Sequence, residues 1–244
     1  MYLVSGQLSL RIDHTVLRLR WLLGTTLTLK VIDFLGRLRI YLGMPSFGGR
    51  EERGWVIEQL SKERSDSNVV DIGASESLLR LQLKMRKIYH TIYTLDVRFM
   101  KGLDSKPFIL GDGMKLPFRD CSFDVVVLGS MIEHVGLGVY GDPINKVGDS
   151  MMLAEVRRIL RVGGKVLLTT PYSSDGGVTW QRHYSDAMIE NLIKGFILLN
   201  KTYLVNQGAW GHPWTRVNNP NALPYIECKN PAKGIVCLIL EKPC

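Results

Sequence analysis

The sequence predicts an α/β protein, a mostly parallel sheet with helices on both faces, preceded by a helical extension. Three observations predict it. Residues 51–170 alternate short apolar runs with amphipathic patterns, as strand–helix crossover units do. The first run, Asn68–Ile72, feeds a tight turn of small residues and then a helix opening at Leu78-Leu79. Open α/β sheets admit a ligand in this way, at the carboxyl ends of their strands. Residues 1–50, by contrast, carry a helical period and no strand pattern.

Strands are expected at Asn68–Ile72, Ile92–Asp96, Phe108–Gly111, Phe123–Gly129 and Gly164–Thr170, then at Ile197–Val205 and Gly234–Leu240. Helices are expected at Glu51–Lys62, Ser150–Leu160 and near Ser185–Lys194. In the extension, Asp13 can cap a short helix through Leu23, which Gly24-Thr25-Thr26 breaks. A second helix places Leu27, Val31, Phe34, Leu35, Leu38 and Leu42 on one stripe, and Gly43-Met44-Pro45 ends it. The chain thus divides into a helical extension over 1–50 and a main domain over 51–244.

A chain of 244 residues can bury one substantial core. Its formal net charge is +8, and residues 1–50 hold seven basic and two acidic side chains, so +5 of it lies on the extension. A basic extension suits nucleic acid, an anionic membrane surface or an acidic substrate, and it equally describes a solvated helical face. The apolar stripe fits packing against the core or against a second copy, giving a homodimer through these helices; a membrane-surface helix is the alternative. Lys30, Asp33, Arg37 and Arg39 interrupt the apolar region from Leu27 to Leu42, which argues against a transmembrane span. No secretory signal is recognisable. The four cysteines are scattered, without CxxC or Cys/His zinc spacing. They read as reduced thiols of a cytoplasmic protein, with Cys237 in the core and no metal expected.

Four motifs carry the chemistry. The loop Asp71-Ile72-Gly73-Ala74-Ser75-Glu76-Ser77 lets the backbone approach a ligand, although a plain tight turn looks the same. Asp96, at the end of the next strand, can accept from both ribose hydroxyls, or cap the strand. Asp112, in Gly111-Asp112-Gly113-Met114-Lys115-Leu116-Pro117-Phe118, can accept from an adenine amino group. A fourth strand follows through Ser122-Phe123-Asp124-Val125-Val126, then a helix, a Gly-Gly turn and a buried strand over Glu155–Pro171.

In this order and spacing, these elements resemble the class I S-adenosylmethionine-dependent methyltransferases, particularly the type 11-like branch that modifies small molecules. The resemblance covers about residues 50–205. It rests on D-x-x-x-L-P-F…S-F-D-V-V and E-x-x-R-I-L-R-x-G-G taken together. The stretch from Ile132-Glu133-His134-Val135-Gly136 through Tyr140-Gly141-Asp142-Pro143 to Gly148-Asp149 is similar to a branch found beside sugar and polysaccharide genes. The resemblance implies a Rossmann-like sheet of seven strands, the last antiparallel, with S-adenosylmethionine as cofactor. It implies that Asp71, Gly73, Ala74 and Ser75 cradle the methionine part, Asp96 the ribose, and Asp112 with Gly113 the adenine, while Ser130 lies beside the sulfonium. Ser75 and Ser77 stand where the family has glycines, and serine tolerates positive φ less well.

The same resemblance puts the acceptor near His134, which can serve as a base or order the loop, with Glu133 orienting it or binding substrate. Asp142 can clamp a sugar or cap a turn. Trp180, Arg182 and Tyr184 can hold a glycan or seal a loop. A lid from the N-terminal helices and the Gly136–Asp149 loop would close the site. The implied acceptor is a small molecule or glycan bearing a hydroxyl. A non-catalytic binding subunit of the same fold is one rival. A nucleic-acid (RNA) methyltransferase is a less favoured one, since Gly129-Ser130-Met131-Ile132 stands where the base-amino enzymes place an Asn/Asp-Pro-Pro-Tyr/Trp stretch. An NAD-dependent oxidoreductase would need a full G-x-G-x-x-G and a Tyr-x-x-x-Lys pair.

Deleting residues 1–42 is expected to expose apolar surface and to change the oligomeric state on size-exclusion chromatography. Salt-sensitive sedimentation of the full chain with anionic vesicles would instead favour the membrane-surface reading.

Overall fold

The computed structural model describes residues 49–74, 79, 82–83, 86–88, 90–98, 108–206, 214–219 and 234–244. The expected helices of residues 1–48 and most of the expected helix after Leu78 lie outside the described residues. In chain order the elements are α1 (Gly49–Leu60), β1 (Asn68–Ile72), β2 (Thr91–Asp96), β3 (Phe108–Leu110), β4 (Phe123–Gly129), a 3-10 turn (Ile132–His134), α2 (Gly148–Ile159) and β5 (Leu160–Tyr172). They continue with β6 (Gly177–Val178), β7 (Arg182–His183), α3 (Asp186–Leu192), β8 (Ile197–Asn206), β9 (Trp214–Val217) and β10 (Gly234–Glu241).

The main sheet has eight strands in the order β3-β2-β1-β4-β5-β10-β8-β9. The first five are mutually parallel. The last strand, β10, runs antiparallel to both β5 and β8, as expected. The eighth strand departs from the seven expected: β9 pairs antiparallel with β8, from Tyr203↔Val217 to Asn206↔Trp214. Its four residues lie between His212-Pro213 and Asn218-Asn219-Pro220, a context that reads as loop. β5 also begins earlier than expected. Gly163, at φ +73, does not end the pairing, because its N–H donates to Lys242 O at 2.9 Å while Lys242 N–H donates to Gly164 O at 2.9 Å.

The central strands are apolar on both faces because both faces are covered. Successive side chains alternate between two clusters. Val70, Ile72, Val126, Leu128, Val166 and Leu168 pack with Met152, Val156 and Ile159 of α2 and Ile189 of α3. Val69, Val125, Val127, Leu167 and the buried Cys237 pack on the other side with Trp55, Val56, Ile57 and Leu60 of α1. Among the described residues no helix is long and apolar enough to cross a membrane.

Two motifs that are separate in sequence form one clamp. Glu155 accepts from Leu116 N at 2.9 Å, and Arg158 donates to Leu116 O (3.0 Å), Phe118 O (2.8 Å), Asp120 and Glu155. The Glu and Arg of E-x-x-R thereby fix the Leu116-Pro117-Phe118 loop that leads from the Asp112 turn into β4.

Candidate active site

Parallel strands place their carboxyl ends on one edge, and a cavity of about 280 Å³ opens there. Its walls include Asp71, Gly73, Asp96, Asp112, Gly113 and Ser130 from the ends of β1–β4, Glu52 and Arg53 from α1, and Arg98, Met131, His134, Tyr140 and Asp142. Six of the eight residues expected to hold the cofactor therefore come together. Ala74 is buried and is not part of this lining. Ser75 and Ser77, and with them the serine departure in the loop, lie outside the described residues.

Gly73 explains why the first turn is built as it is. Its φ is +80, and a Cβ there would lie 2.7 Å from Met131 Cβ. Its N–H donates to Leu95 O at 2.8 Å, which ties the turn to β2. Asp96 is buried, and one of its oxygens accepts from Arg98 N at 2.9 Å. Asp112 accepts from Met114 N at 2.8 Å and so closes the turn after β3. Ser130 takes a left-handed conformation, φ +43, and its N–H donates to both the carbonyl and the hydroxyl oxygen of Thr169 at 3.1 Å.

An aromatic stack runs from Arg98 past His134 to Trp180. The Arg98 guanidinium lies 4.1 Å over the Tyr140 ring, Tyr140 meets His134 edge-on at 5.2 Å, and His134 stacks on Trp180 at 5.0 Å. Trp180 is more than half exposed and, unlike His134, does not line the cavity. Asp142 caps a turn, as the plainer reading expects, by accepting from Gly136 N at 2.7 Å, and it also lines the cavity. Gly136 must be glycine on two counts, φ +75 and a Cβ that would meet Asn145 O at 2.1 Å.

Arg182 and Tyr184 are not brought to the cavity. Arg182 is buried, donates to Val135 O at 2.6 Å and lies 3.4 Å from the Asp149 carboxylate; the Tyr184 hydroxyl donates to the same carboxylate at 2.9 Å. Their polar atoms are occupied in joining α2, β7 and the 3-10 turn. Glu133 is 1% exposed and accepts from the Thr170 hydroxyl at 3.2 Å, behind the cavity lining.

Burial sets the protonation states here. Desolvation pushes the Glu133 carboxyl up to about 8, with the charge of Glu52 adding to the rise. Desolvation pulls the His134 imidazole down to about 4; a backbone contact at Trp180 opposes this and the Arg98 charge reinforces it. Glu133 Oε1 lies 4.0 Å from His134 Nε2, but with both groups neutral near pH 7 the contact is polar, not ionic. His134 Nδ1 is buried without a hydrogen-bond partner.

Sequence reasoning missed Glu52, Arg53, Arg98 and Tyr140. Glu52 had a signal: it precedes Trp55 and Val56 by three and four residues, so an acid sits on the apolar face of α1. Its carboxylate accepts from the Thr169 hydroxyl, and burial raises its pKa.

Comparison with known proteins identifies the fold. The family described as "Caenorhabditis protein of unknown function, DUF268" matches residues 117–208. A protein of Encephalitozoon cuniculi (strain GB-M1), named as a candidate methyltransferase, is 37% identical over 60 residues, and the match spans 25% of this chain and 25% of that one. Among solved structures, the chain is similar to the 1,6-didemethyltoxoflavin-N1-methyltransferase of Burkholderia thailandensis, solved with its substrate and S-adenosylhomocysteine. The two are 13% identical over 81% of this chain and 79% of that chain, with a TM-score of 0.55. It is likewise similar to the N-methyltransferase NodS of Bradyrhizobium japonicum WM9 bound to S-adenosylhomocysteine, 11% identical over 80% of this chain and 87% of that chain, with a TM-score of 0.55. The fold is therefore the Rossmann-like fold of the class I methyltransferases.

The two shifted groups predict a pH signature. Glu133 has a folded pKa raised above its unfolded value, so stability falls as pH rises from about 4.5 to about 8. His134 has a lowered one, so its contribution rises with pH from about 4 to about 6.5 and is constant above that. Between about pH 6.5 and 8 the Glu133 slope stands without opposition from His134, at a scale of about 2 kcal/mol. Glu133→Gln should flatten the fall of the thermal midpoint over that window relative to wild type. Glu52 and Tyr184 are coupled to Glu133 by charge, so the comparison reads the Glu133 titration together with that coupling, and Glu133→Gln removes both.

Proposed function

We propose that this chain transfers the methyl group of S-adenosylmethionine to a hydroxyl of a small molecule or glycan. The observation that carries the cofactor is the convergence of Asp71, Gly73, Asp96, Asp112 and Gly113 on one cavity at the carboxyl edge of the sheet. The residues present fit the group. Asp96 and Asp112 supply buried or half-buried acceptors for ribose hydroxyls and an adenine amine, and the bare backbone of Gly73 admits close approach. When bound, the cofactor supplies a methyl group already activated on a sulfonium.

The chain then has three tasks: hold the acceptor in line, exclude water and take a proton. The stack of Arg98, Tyr140, His134 and Trp180 walls the acceptor side. His134 is neutral at physiological pH and lines the cavity, so it can receive the acceptor's proton. The burial that keeps it neutral also penalises the imidazolium it would become, so its contribution belongs at the low end of the general-base range, about 100-fold. Glu133, protonated near pH 7, acts as a positioning residue beneath it. The hydroxylated acceptor is supported by the branch resemblance. A cytoplasmic location and a homodimer through residues 1–50 rest on the sequence pattern.

Calorimetry tests the cofactor. S-adenosylhomocysteine should bind and NAD should not, and Asp96→Ala should weaken binding by about 1–3 kcal/mol. Tight NAD binding with no response to S-adenosylhomocysteine would overturn the reading. Steady-state kinetics test the base. His134→Ala should lower kcat about 100-fold at neutral pH with cofactor affinity unchanged, and the deficit should shrink as pH rises and the acceptor ionises unaided. Full activity of that variant removes the general-base role.

A further inference from the structure

We infer that the acceptor is an amphiphile, whose hydroxyl end enters the cavity while a hydrocarbon portion lies on an apolar collar beside it. The inference rests on the proposed methyl transfer for the role of the hydroxyl end. Two segments flank the cavity residues His134, Tyr140 and Asp142. One is the loop and helix start that carry Val139, Ile144, Val147 and Met151; the other is the β6–β7 hairpin, with Val178 and Trp180. All six side chains are exposed, and they make up half of the twelve exposed large apolar side chains among the described residues. Single exposed apolar residues are ordinary, whereas a group of them beside a cavity marks a binding surface.

The backbone holds these side chains outward. Buried Arg182 ties the two segments together, donating to Val135 O at 2.6 Å from one Nη and to Lys146 O at 3.4 Å from the other. Asn145 N–H donates to Gly136 O at 2.8 Å, and the Asn145 side-chain amide donates to Met151 Sδ at 3.0 Å. Trp180 stacks on His134, and Val139 adjoins Tyr140, so the collar continues the cavity wall. Its charge narrows the occupant. From Val135 to Val147 and from Gly177 to Gln181 the only charged residues are Asp142 and Lys146. Asp142 is occupied in capping Gly136 N. A single lysine gives a nucleic-acid backbone one phosphate contact, too few to hold it. A bare glycan is also poorly served, because Ile144, Val147 and Val178 offer its hydroxyls no hydrogen bond. A hydrocarbon chain asks only for apolar area, which is what this surface presents.

The test titrates the full chain, with and without S-adenosylhomocysteine, with alkyl β-glucosides from butyl to octyl below micelle-forming concentrations. Affinity should rise about threefold per methylene, so about 100-fold from butyl to octyl. The double variant Ile144→Ser, Val178→Ser should cut that ratio about tenfold while S-adenosylhomocysteine affinity and the thermal midpoint stay at wild-type values. Equal affinity for butyl and octyl glucoside in the wild-type chain overturns the inference without recourse to any variant. So does an equally steep series in the double variant, which would put the alkyl chain elsewhere. Sedimentation of both proteins guards the reading: a wild-type oligomer that falls apart in the double variant assigns the collar to a second copy and overturns it too. A chain that binds the long glucosides on this collar but not S-adenosylhomocysteine removes the methyl-transfer reading and leaves the amphiphile site standing.

Discussion

No methyl group fits between Gly73 and Met131. β1 and β4 are neighbours at the centre of the sheet, and the crossovers from them run in opposite directions, so the turns that leave their carboxyl ends diverge. Where they part, both turns are left-handed: Gly73 at φ +80 and Ser130 at φ +43. Gly73 can adopt that conformation without penalty. For Ser130 it is strained, at about 1–3 kcal/mol, and its surroundings must hold it there. The cavity exists because these two turns bend away from each other, and Met131, packed against Gly73, forms part of its wall. The strand order then decides which residues surround it, and Asp96 and Asp112 arrive from the β2 and β3 side by parallel pairing.

What holds Ser130 is a polar device inside an apolar core. Thr169 receives the Ser130 N–H with both its carbonyl and its hydroxyl oxygen, and passes its own hydroxyl proton towards Glu52 of α1. The next residue, Thr170, points to the opposite face of the strand and donates to Glu133. Two carboxyl groups thus bracket the end of β5, one from each face, and burial raises the pKa of both. An apolar pair of the same size would cost less desolvation. The acids fix backbone geometry that Val or Leu cannot fix, because only an acceptor can orient the two threonine hydroxyls.

The sheet was legible in the sequence because burial on both faces writes itself as continuous apolar runs. β1 and β4 fall at Asn68–Ile72 and Phe123–Gly129, the bounds that the pattern predicts, since a polar residue or glycine ends each run. β9 was not legible. A four-residue edge strand needs few apolar side chains, and Trp214-Thr215-Arg216-Val217 is flanked by turn residues on both sides. The cavity residues at the ends of β1–β4 were legible because strand ends are fixed points in sequence. The stack around His134 was not, because it depends on contacts between residues dozens of positions apart. Arg182 and Tyr184 look like ligand-binding residues, yet they serve Asp149 and Val135. Arg98 and Tyr140 are 42 positions apart, and no local pattern pairs them.

The aromatic stack also bears on how a reaction at this edge would gain its rate. Packing His134 between Tyr140 and Trp180 removes water from this cavity wall, and the same removal lowers the imidazole pKa to about 4. A strong base and a dry wall therefore cannot both be had from this residue. General-base assistance offers about 10²–10⁴, and a base this weak stays near the lower figure. Holding two reactants in line can offer effective molarities of about 10⁵–10⁸ M, and it improves as the wall becomes more rigid. The turns around Gly136, tied by Asp142 and by Asn145 N–H to Gly136 O at 2.8 Å, stiffen the wall that carries Tyr140. The larger effect and the observed construction point the same way. On the proposed function, this site is built to position, and proton acceptance by His134 is secondary to the rigidity that its burial provides.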